Sequence, residues 1–312
     1  MRKICFFAMN TEVELVLDTE EVELFSLGRD WFQYVEQKLS RFLPGSELSF
    51  LNHSPSKPMI VSELFYEVAE KGIYYWKRTH SLFCPFLGKH LVNLGYNCSF
   101  EQLKEYPYQE EVRVNTNPSV LSSSIPITLY PEMKALKLSS SYQLDFGGLA
   151  KGWSCEKLSD MLKHTYQIPS GYINAGGDLQ VWDNQSKDWH IEIKSPYSTE
   201  EIIAVIQISN GGVATSSCLQ RQWIHQGMKV HHILDPRTGM PADTDIIQAT
   251  VYASSVTEAE VWAKIFCILG EQEGTKYIKE RAPFLEWVLV KKDGEIITSS
   301  FDTLHGNVKK VV

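Results

Sequence analysis

The residues with the clearest chemical potential lie between positions 231 and 239, where the chain reads His231-His232-Ile-Leu-Asp235-Pro-Arg-Thr-Gly239. This segment places an imidazole, a carboxylate, a guanidinium and a hydroxyl close together in sequence. Imidazole titrates near neutral pH and can take a proton from a hydroxyl nucleophile. The alternative is structural, because Asp-Pro-Arg-Thr-Gly is typical of an Asx turn and alternation along a strand would expose only one of the two histidines.

A glycine motif, Asp145-Phe-Gly-Gly-Leu-Ala-Lys151, is the candidate phosphate site. The paired glycines let a ligand approach the backbone, and the unpaired N–H groups at the start of the helix that follows attract anions. Lys151 lies in the first helical turn and can neutralise a phosphate. The alternative is a glycine turn that packs a strand end on a helix and leaves the lysine solvated.

Two more motifs and one pair of charged residues on a predicted helix complete the list of polar candidate site residues. Asn174-Ala-Gly-Gly-Asp178 lies between predicted strands, where a plain hairpin turn is an equally good interpretation. The Ala-Thr-Ser-Ser segment around Thr215 adds hydroxyl groups. Glu260 and Lys264 are four residues apart on one helical face, so the default interpretation is an exposed ion pair worth about 0.3–0.5 kcal/mol.

Hydrophobic periodicity predicts the elements that must position these residues. We expect helices at residues 28–42, 62–79, 255–269 and 272–281, and another that follows a strand end and the paired glycines and runs to about residue 165. Strands are expected at residues 11–18 and 247–253, as two short strands within 124–138, in a β-rich run from residue 171, and in a hairpin over 285–300. Residues 82–96 are predicted to form an apolar loop. The chain is thus predicted to be one α/β domain over residues 1–312, with mixed sheets and packed helices.

Composition narrows the class of protein. The chain has 38 acidic and 30 basic residues and a net charge of −8, so nucleic acid is not an expected partner. Six cysteines without a CxxC pair do not indicate a disulfide framework or a zinc site. The apolar run at the N-terminus is too short for a signal peptide, and no run approaches the roughly 20 residues of a membrane span. We therefore expect a cytoplasmic protein without membrane insertion.

Taken together, these motifs resemble the ApbE family, the FAD:protein FMN transferases. The similarity runs along most of the chain, through FAMNT, SELSFLN, DFGGLAKG, NAGGD, GGVATSS, HHILDPRTG and ASSVTEAE. The resemblance implies a flavin-transferase fold of α/β type, with FAD as the donor and a divalent metal, usually magnesium. It also implies transfer of FMN to a Ser or Thr of an acceptor protein, with release of AMP.

The resemblance assigns roles to individual residues. Flavin-nucleotide contacts fall on Met9, Leu82, Phe83, Cys84, Asp145 and Lys151, and we expect contributions from Asn174, Asp178, Thr215 and Leu234. His232 matches the base that acts on the acceptor hydroxyl. The metal positions are the Gly148 carbonyl and the side chains at Glu260 and Lys264.

The metal positions depart from the family, which usually has Asp and Thr where this chain has Glu260 and Lys264. Magnesium takes oxygen ligands, and a lysine ammonium offers no lone pair. Lys264 therefore either turns away from the metal position or replaces the metal, and magnesium is a doubtful cofactor.

Other departures are Cys84 and Phe86 for Asp and Thr, Phe50 for Arg, and Ser217 for Gly. Cleavage of a pyrophosphate needs charge stabilisation and a base, which Lys151 and His232 can supply. The leading hypothesis is FMN transfer. The alternatives are a flavin-binding carrier that has lost the reaction, and a pyrophosphatase that hydrolyses FAD to FMN and AMP.

Overall fold

The computed structural model describes residues 1–54, 56–105, 125–184, 187–198, 200–299 and 309–310. The chain forms two units: unit 1 comprises Met1–Trp31, Lys151–Gln220 and Asp243–Val312, and unit 2 comprises Phe32–Ala150 and Arg221–Ala242. One domain over residues 1–312 stays a prediction, because two such units are compatible with one domain or with two. No helix in the described ranges is both long and apolar enough to span a membrane.

The α-helices are α1 (Val22–Leu39), α2 (Glu47–His53), α3 (Glu63–Arg78), α4 (Gly88–Asn93), α5 (Phe100–Glu105), α6 (Ala150–His164) and α7 (Val256–Arg281), with a 3-10 turn at Pro131–Met133. The strands are β1 (Arg2–Ala8), β2 (Thr11–Leu17), β3 (Met59–Ile60), β4 (Ile127–Tyr130), β5 (Ala135–Leu138), β6 (Ser170–Ala175), β7 (Asp178–Asp183), β8 (Trp189–Lys194), β9 (Ile202–Ile208), β10 (Gly211–Ser217), β11 (Gln222–His225), β12 (Met228–His231), β13 (Leu234–Asp235), β14 (Met240–Pro241), β15 (Ile246–Ala253), β16 (Glu286–Lys291), β17 (Ile296–Thr298) and β18 (Lys309–Lys310).

Unit 1 is built on an eight-stranded antiparallel sheet in the order β1-β2-β6-β7-β10-β15-β16-β17. The strand predicted at residues 11–18 is β2, and its alternating Val13, Leu15 and Leu17 are fully buried. The predicted turn between β6 and β7 places Gly176 and Gly177 at φ 64° and 97°, a conformation that glycine adopts without strain. Strands β6, β7, β10 and β15 of the predicted β-rich run therefore lie in the same sheet as β2.

Further layers cover this sheet. Apolar residues of β8 and β9 pack against residues of β7, β10, β15 and β16 in one buried cluster, which includes Leu179, Val213 and Ile206. Gly212 precedes Val213, so its side-chain position lies on the opposite face of the sheet. A Cβ on Gly212 would lie 2.0 Å from the backbone nitrogen of Val256, so glycine lets the start of α7 approach the sheet.

Helix α7 is interrupted at Gly270, which has φ 78° and ψ −175°. The two helices predicted at residues 255–269 and 272–281 are therefore confirmed as segments on either side of this residue. Asp245 Oδ1 accepts a hydrogen bond from the backbone N–H of Glu271 at 3.1 Å. The break thus follows from a positive φ and from a cap supplied by the loop before β15.

Unit 2 combines short helices with small sheets, β3-β5-β4, β11-β12 and β13-β14. Helix α3 confirms the prediction at residues 62–79, because the side chain of Ser62 caps it by accepting from the backbone N–H of Phe65. The two strands expected within 124–138 are β4 and β5, and residue 124 lies outside the described residues. Local capping was a sufficient signal for the start of α3.

The prediction of a loop over residues 82–96 is wrong in part, because it contains α4. Leu87, Leu91 and Leu94 recur at helical spacing and pack into one buried cluster with Trp223. Gly88 is not a helix breaker here. A Cβ on it would lie 2.9 Å from the carbonyl oxygen of Gln143, so glycine permits a close approach.

Two other boundaries differ from prediction. Helix α1 starts at Val22 rather than residue 28, and a Cβ on Gly28 would lie 2.6 Å from Leu15, so this glycine also serves packing. The strand expected just before the paired glycines is absent from residues 139–149 apart from one bridge. Instead, Asn52 holds the backbone of Leu144 by donating to its oxygen at 2.9 Å and accepting from its nitrogen at 2.8 Å.

Candidate functional site

Four of the predicted site residues meet in one charged cluster within unit 1, hereafter the lysine–carboxylate cluster: Lys151, Asp178, Glu260 and Lys264. Lys151 Nζ donates to Asp178 Oδ2 and, at 3.2 Å, to Glu260 Oε1. Lys264 Nζ lies 3.6 Å from the same Glu260 oxygen. Both carboxylates are buried, with side chains 3% and 2% exposed, whereas Lys151 and Lys264 are 14% and 19% exposed.

Three elements bring the cluster together. Lys151 lies in the first turn of α6, Asp178 begins β7, and Glu260 and Lys264 share one face of α7. The start of α7 is fixed because the Ser255 side chain accepts from the backbone N–H of Glu258.

Gly152 holds the second oxygen of Glu260, and residue-by-residue analysis of the sequence missed it. Its backbone N–H donates to Glu260 Oε2 at 3.0 Å. A Cβ at this position would lie 2.8 Å from that oxygen, so a larger residue would displace the carboxylate. The signal in the sequence was the glycine that follows Lys151 in the DFGGLAKG motif.

The cluster changes the ionisation of its two carboxyl groups. Burial raises the pKa of Asp178 to about 6, and the neighbouring charge of Glu260 reinforces the effect. Burial also acts on Glu260, but Lys151 and Lys264 together hold its pKa below the ordinary value. Glu260 is therefore the firmly ionised member, because two ammonium groups and the N–H of Gly152 stabilise its charge.

The structural alternatives for these residues are wrong only in their exposure. Glu260 and Lys264 do form an ion pair, but it is not exposed, because α7 packs against the large sheet. Lys151 is not a solvated lysine either, because Asp178 and Glu260 contact its ammonium group. Helical spacing predicts that two residues lie on the same face of a helix. It does not predict whether another element packs against that face.

The remaining predicted residues of unit 1 have separate contacts. Met9 has φ 53°, and its sulfur accepts from the Ser154 hydroxyl at 3.8 Å. Asn174 Oδ1 accepts from the backbone N–H of Gly177 at 2.9 Å, which closes the predicted turn. The backbone N–H of Thr215 donates to the Gly177 oxygen at 3.2 Å, so the NAGGD and GGVATSS motifs are neighbours in the sheet.

In unit 2, Asp145 is held by an arginine that the sequence analysis missed. Arg41 Nε donates to Asp145 Oδ2 at 2.6 Å, and Nη1 donates to the Tyr96 backbone oxygen at 2.6 Å. The guanidinium lies 4.1 Å and 4.6 Å from the ring centres of Phe42 and Tyr96. Asp145 Oδ1 accepts from the Gly147 N–H at 2.8 Å, so both carboxylate oxygens are oriented. Arg41 lies 104 residues from Asp145, and no local pattern marks it.

The predicted ligand loop follows α3. Leu82 and Phe83 are buried, and the Phe83 N–H donates to the Thr79 hydroxyl at 2.9 Å. Burial raises the pKa of the Cys84 thiol to about 12, so this sulfur stays protonated at neutral pH and is a poor metal ligand. Phe86 is buried against Trp76, with ring centres 6.2 Å apart.

The histidine motif forms the expected Asx turn. Asp235 Oδ1 accepts from the Arg237 backbone N–H at 2.8 Å, and its carboxylate also pairs with the Arg237 guanidinium. Strand β12 ends at His231, and both histidines are half-buried, so the expectation that only one is exposed is wrong. His231 Nε2 lies 3.0 Å from the Ala242 oxygen and must donate to it, whereas His232 stays the predicted base. Leu234 is buried in the cluster around Trp223.

Within the described part of the chain, no group of three or more His, Cys, Asp or Glu side chains is arranged to hold a metal. Gly148 is half-buried in the turn before α6, and its predicted role as a carbonyl ligand is untested. The lysine–carboxylate cluster is thus an ionic site that contains its own cations.

Comparison with known proteins gives consistent matches. The family model described as the ApbE family matches residues 9–289. A protein of Treponema pallidum (strain Nichols) named FAD:protein FMN transferase is 26% identical over 276 residues, which cover 83% of this chain and 73% of that protein.

Solved structures show the same fold. The ApbE protein of Thermotoga maritima matches with a TM-score of 0.82 and 21% identity, over 96% of this chain and 97% of that one. The structure described as flavin transferase ApbE from Vibrio cholerae matches with a TM-score of 0.76 and 20% identity, over the same shares. The predicted fold class is confirmed.

Proposed function

The chain belongs to the ApbE family, and on that premise we propose that it is an FAD:protein FMN transferase. The reaction would move FMN from FAD to a Ser or Thr hydroxyl of an acceptor protein and release AMP. The observation that carries this proposal is the family match over residues 9–289, which includes every motif from the glycine turn to the histidine segment. The relative from Treponema pallidum carries the name of this activity.

In the proposed reaction, the acceptor hydroxyl oxygen attacks the flavin-side phosphorus of the FAD pyrophosphate. The bond from that phosphorus to the bridging oxygen breaks, and AMP leaves with the oxygen. The proton of the hydroxyl passes to His232, which acts as the general base. Developing charge on the phosphates requires fixed positive groups, and Lys151 is the proposed contact.

The residues present fit the binding of a flavin nucleotide. Arg41 and the Gly147 N–H orient both oxygens of Asp145, and a carboxylate so fixed can accept from a ring amine without reorganisation. Leu82 and Phe83, in the loop after α3, are also proposed contacts, and their apolar side chains are buried. Proposed contacts also fall on Met9, together with Cys84, Asn174, Thr215 and Leu234, and Asp178 is proposed to act on the nucleotide through Lys151, with which it pairs.

The residues present do not fit magnesium. Magnesium needs oxygen ligands at about 2.0–2.1 Å in octahedral geometry, and the residue four after Glu260 is Lys264, which has none to offer. Glu260 Oε1 already lies 3.2 Å from the Lys151 ammonium and 3.6 Å from that of Lys264. A divalent ion about 4 Å from one ammonium would be repelled by about 8 kcal/mol at an effective dielectric of about 20. No step of the proposed reaction therefore passes through a metal.

The test is incubation of the protein with FAD and a domain known to carry FMN on a Ser or Thr, with and without magnesium. Flavin fluorescence of the acceptor on a denaturing gel and release of AMP are both measured. The proposal expects both products in equal amounts. AMP without labelled acceptor would indicate a pyrophosphatase, and FAD binding without either product would indicate a carrier. A protein that neither binds nor consumes FAD would overturn the proposal.

A further inference from the structure

We propose that the ammonium groups of Lys264 and Lys151 replace the divalent cation in this chain, so that the phosphates of FAD are neutralised without a bound metal. This inference rests on the proposed function, because it specifies how the same site meets its substrate. Three observations support it: the charge balance of the lysine–carboxylate cluster, the solvent exposure of its two lysines, and the contacts that fix their ammonium groups.

The cluster is already balanced in charge. Asp178 and Glu260 contribute two carboxylates, and Lys151 and Lys264 contribute two ammonium groups, all within one connected set of contacts. A buried carboxylate pair without internal cations would need an external ion. Here a divalent ion would leave the cluster with an excess of positive charge beside side chains that are almost fully buried.

The accessible part of the cluster is cationic. The carboxylates are only 3% and 2% exposed, whereas the side chains of Lys151 and Lys264 are 14% and 19% exposed. A molecule that approaches from solvent therefore meets ammonium groups, not carboxylate oxygens. This surface suits a phosphate or pyrophosphate and repels a metal cation.

The ammonium groups are held in place before any ligand arrives. Glu260 anchors both lysines, and its other oxygen is fixed by the N–H of Gly152 at 3.0 Å. A fixed charge stabilises a developing negative charge without the reorganisation that a flexible lysine would need. The carboxylates are thus positioning groups for the two cations, which are the proposed phosphate contacts.

The first measurement uses the protein without FAD. Manganese, detected by electron paramagnetic resonance, serves as the probe for a divalent cation site. The wild-type protein is expected to bind no stoichiometric manganese. The double variant Glu260→Asp with Lys264→Thr removes one ammonium and restores oxygen ligands, and it is expected to gain a site. Lys276→Thr is the matched control, because Lys276 is an exposed lysine of the same helix and its loss should create no site.

The second measurement is FAD binding, followed by quenching of flavin fluorescence in EDTA or in magnesium. The wild-type affinity is expected to be the same in both. Lys264→Met keeps a long side chain without the charge and should bind FAD about tenfold to a hundredfold more weakly in EDTA, since a hydrogen bond to a charged group is lost. Circular dichroism checks that this variant is folded, and Lys276→Met is its control.

The outcomes separate this inference from the proposed function. Stoichiometric manganese binding by the wild type, or loss of its FAD binding in EDTA, would overturn the replacement of the metal while leaving FMN transfer intact. Unchanged FAD affinity in folded Lys264→Met would also overturn it. Absence of FAD binding under every condition would instead refute the proposed function, and the manganese experiment would still decide whether the cluster accepts a cation.

Discussion

Replacement of Glu260 by Gln should destabilise the protein strongly, because it removes the buried charge that holds two partly buried ammonium groups. The Glu260 Oε1 atom lies 3.2 Å from Lys151 Nζ and 3.6 Å from Lys264 Nζ. At an effective dielectric of about 20, each contact corresponds to a gross attraction of about 5 kcal/mol, most of which offsets the cost of removing the carboxylate from water. The amide can still accept from Gly152, so the loss is electrostatic rather than steric.

Removing one partner of a buried ion pair costs about 3–5 kcal/mol, because the remaining charge is left uncompensated. Since both lysines keep some solvent contact, we expect the free energy of unfolding of Glu260→Gln to fall by about 3 kcal/mol. Urea unfolding at pH 7.5, followed by tryptophan fluorescence, measures this change. The control is Glu280→Gln, which makes the same change at an exposed position of α7.

A double variant tests the cause. Glu260→Gln combined with Lys264→Met removes one unpaired ammonium together with its partner and should recover about 1–2 kcal/mol relative to the single variant. If Glu260→Gln lies within about 0.5 kcal/mol of wild type, as surface substitutions do, the cluster is not the buried ionic unit described above.

Three further predictions concern single residues. His232→Ala should abolish FMN transfer while the affinity for FAD stays within about twofold, since a base contacts the acceptor rather than the donor; unchanged transfer would remove His232 from this role. Arg41→Met should weaken FAD binding and lower the unfolding free energy by about 2–4 kcal/mol, because the partly buried Asp145 carboxylate loses its partner; unfolding titrations and fluorescence quenching measure both, and equal affinity would exclude Asp145 from the binding site. Burial raises the pKa of Glu286 to about 7, so this group's contribution to stability is complete below about pH 4 and is lost as pH rises to about 7. Glu286→Gln should therefore be more stable than wild type by about 1–2 kcal/mol at pH 8, after allowance for solvent screening, with a difference that shrinks below pH 4; a constant difference across pH would contradict this assignment.

Elements with a strong local signal could be predicted from the sequence. Alternation identified β2, the Ser62 cap identified the start of α3, and the paired glycines marked the approach to α6, in which Cys155, Leu158 and Leu162 are fully buried. Each of these signals depends on residues within about two turns or one strand, so no tertiary information was needed.

Glycine residues were the main source of error in the predicted helix boundaries. We placed Gly88 in a predicted loop and began α1 at Gly28, but Gly88 is the first residue of α4 and Gly28 lies within α1. Each permits a close approach to another segment, Gln143 and Leu15 respectively. Whether a glycine breaks a helix or lets it pack closely depends on a partner distant in sequence, which local patterns do not contain.

The candidate site was also predictable from the sequence only in part. The motifs predicted which residues carry chemistry, and the family resemblance marked Lys264 as a departure. The contact of Lys151 with Glu260 spans 109 residues, and the contact of Arg41 with Asp145 spans 104. Only the folded sheet and helices bring such groups together, so their burial and charge balance could not be predicted from spacing.

The most direct test of the proposed activity is mass spectrometry of the acceptor domain after incubation with the protein and FAD in EDTA. The account predicts that one Ser or Thr gains the mass of FMN less one water, with an equal amount of AMP released. An acceptor of unchanged mass, from a protein that demonstrably binds FAD in both EDTA and magnesium, would contradict it.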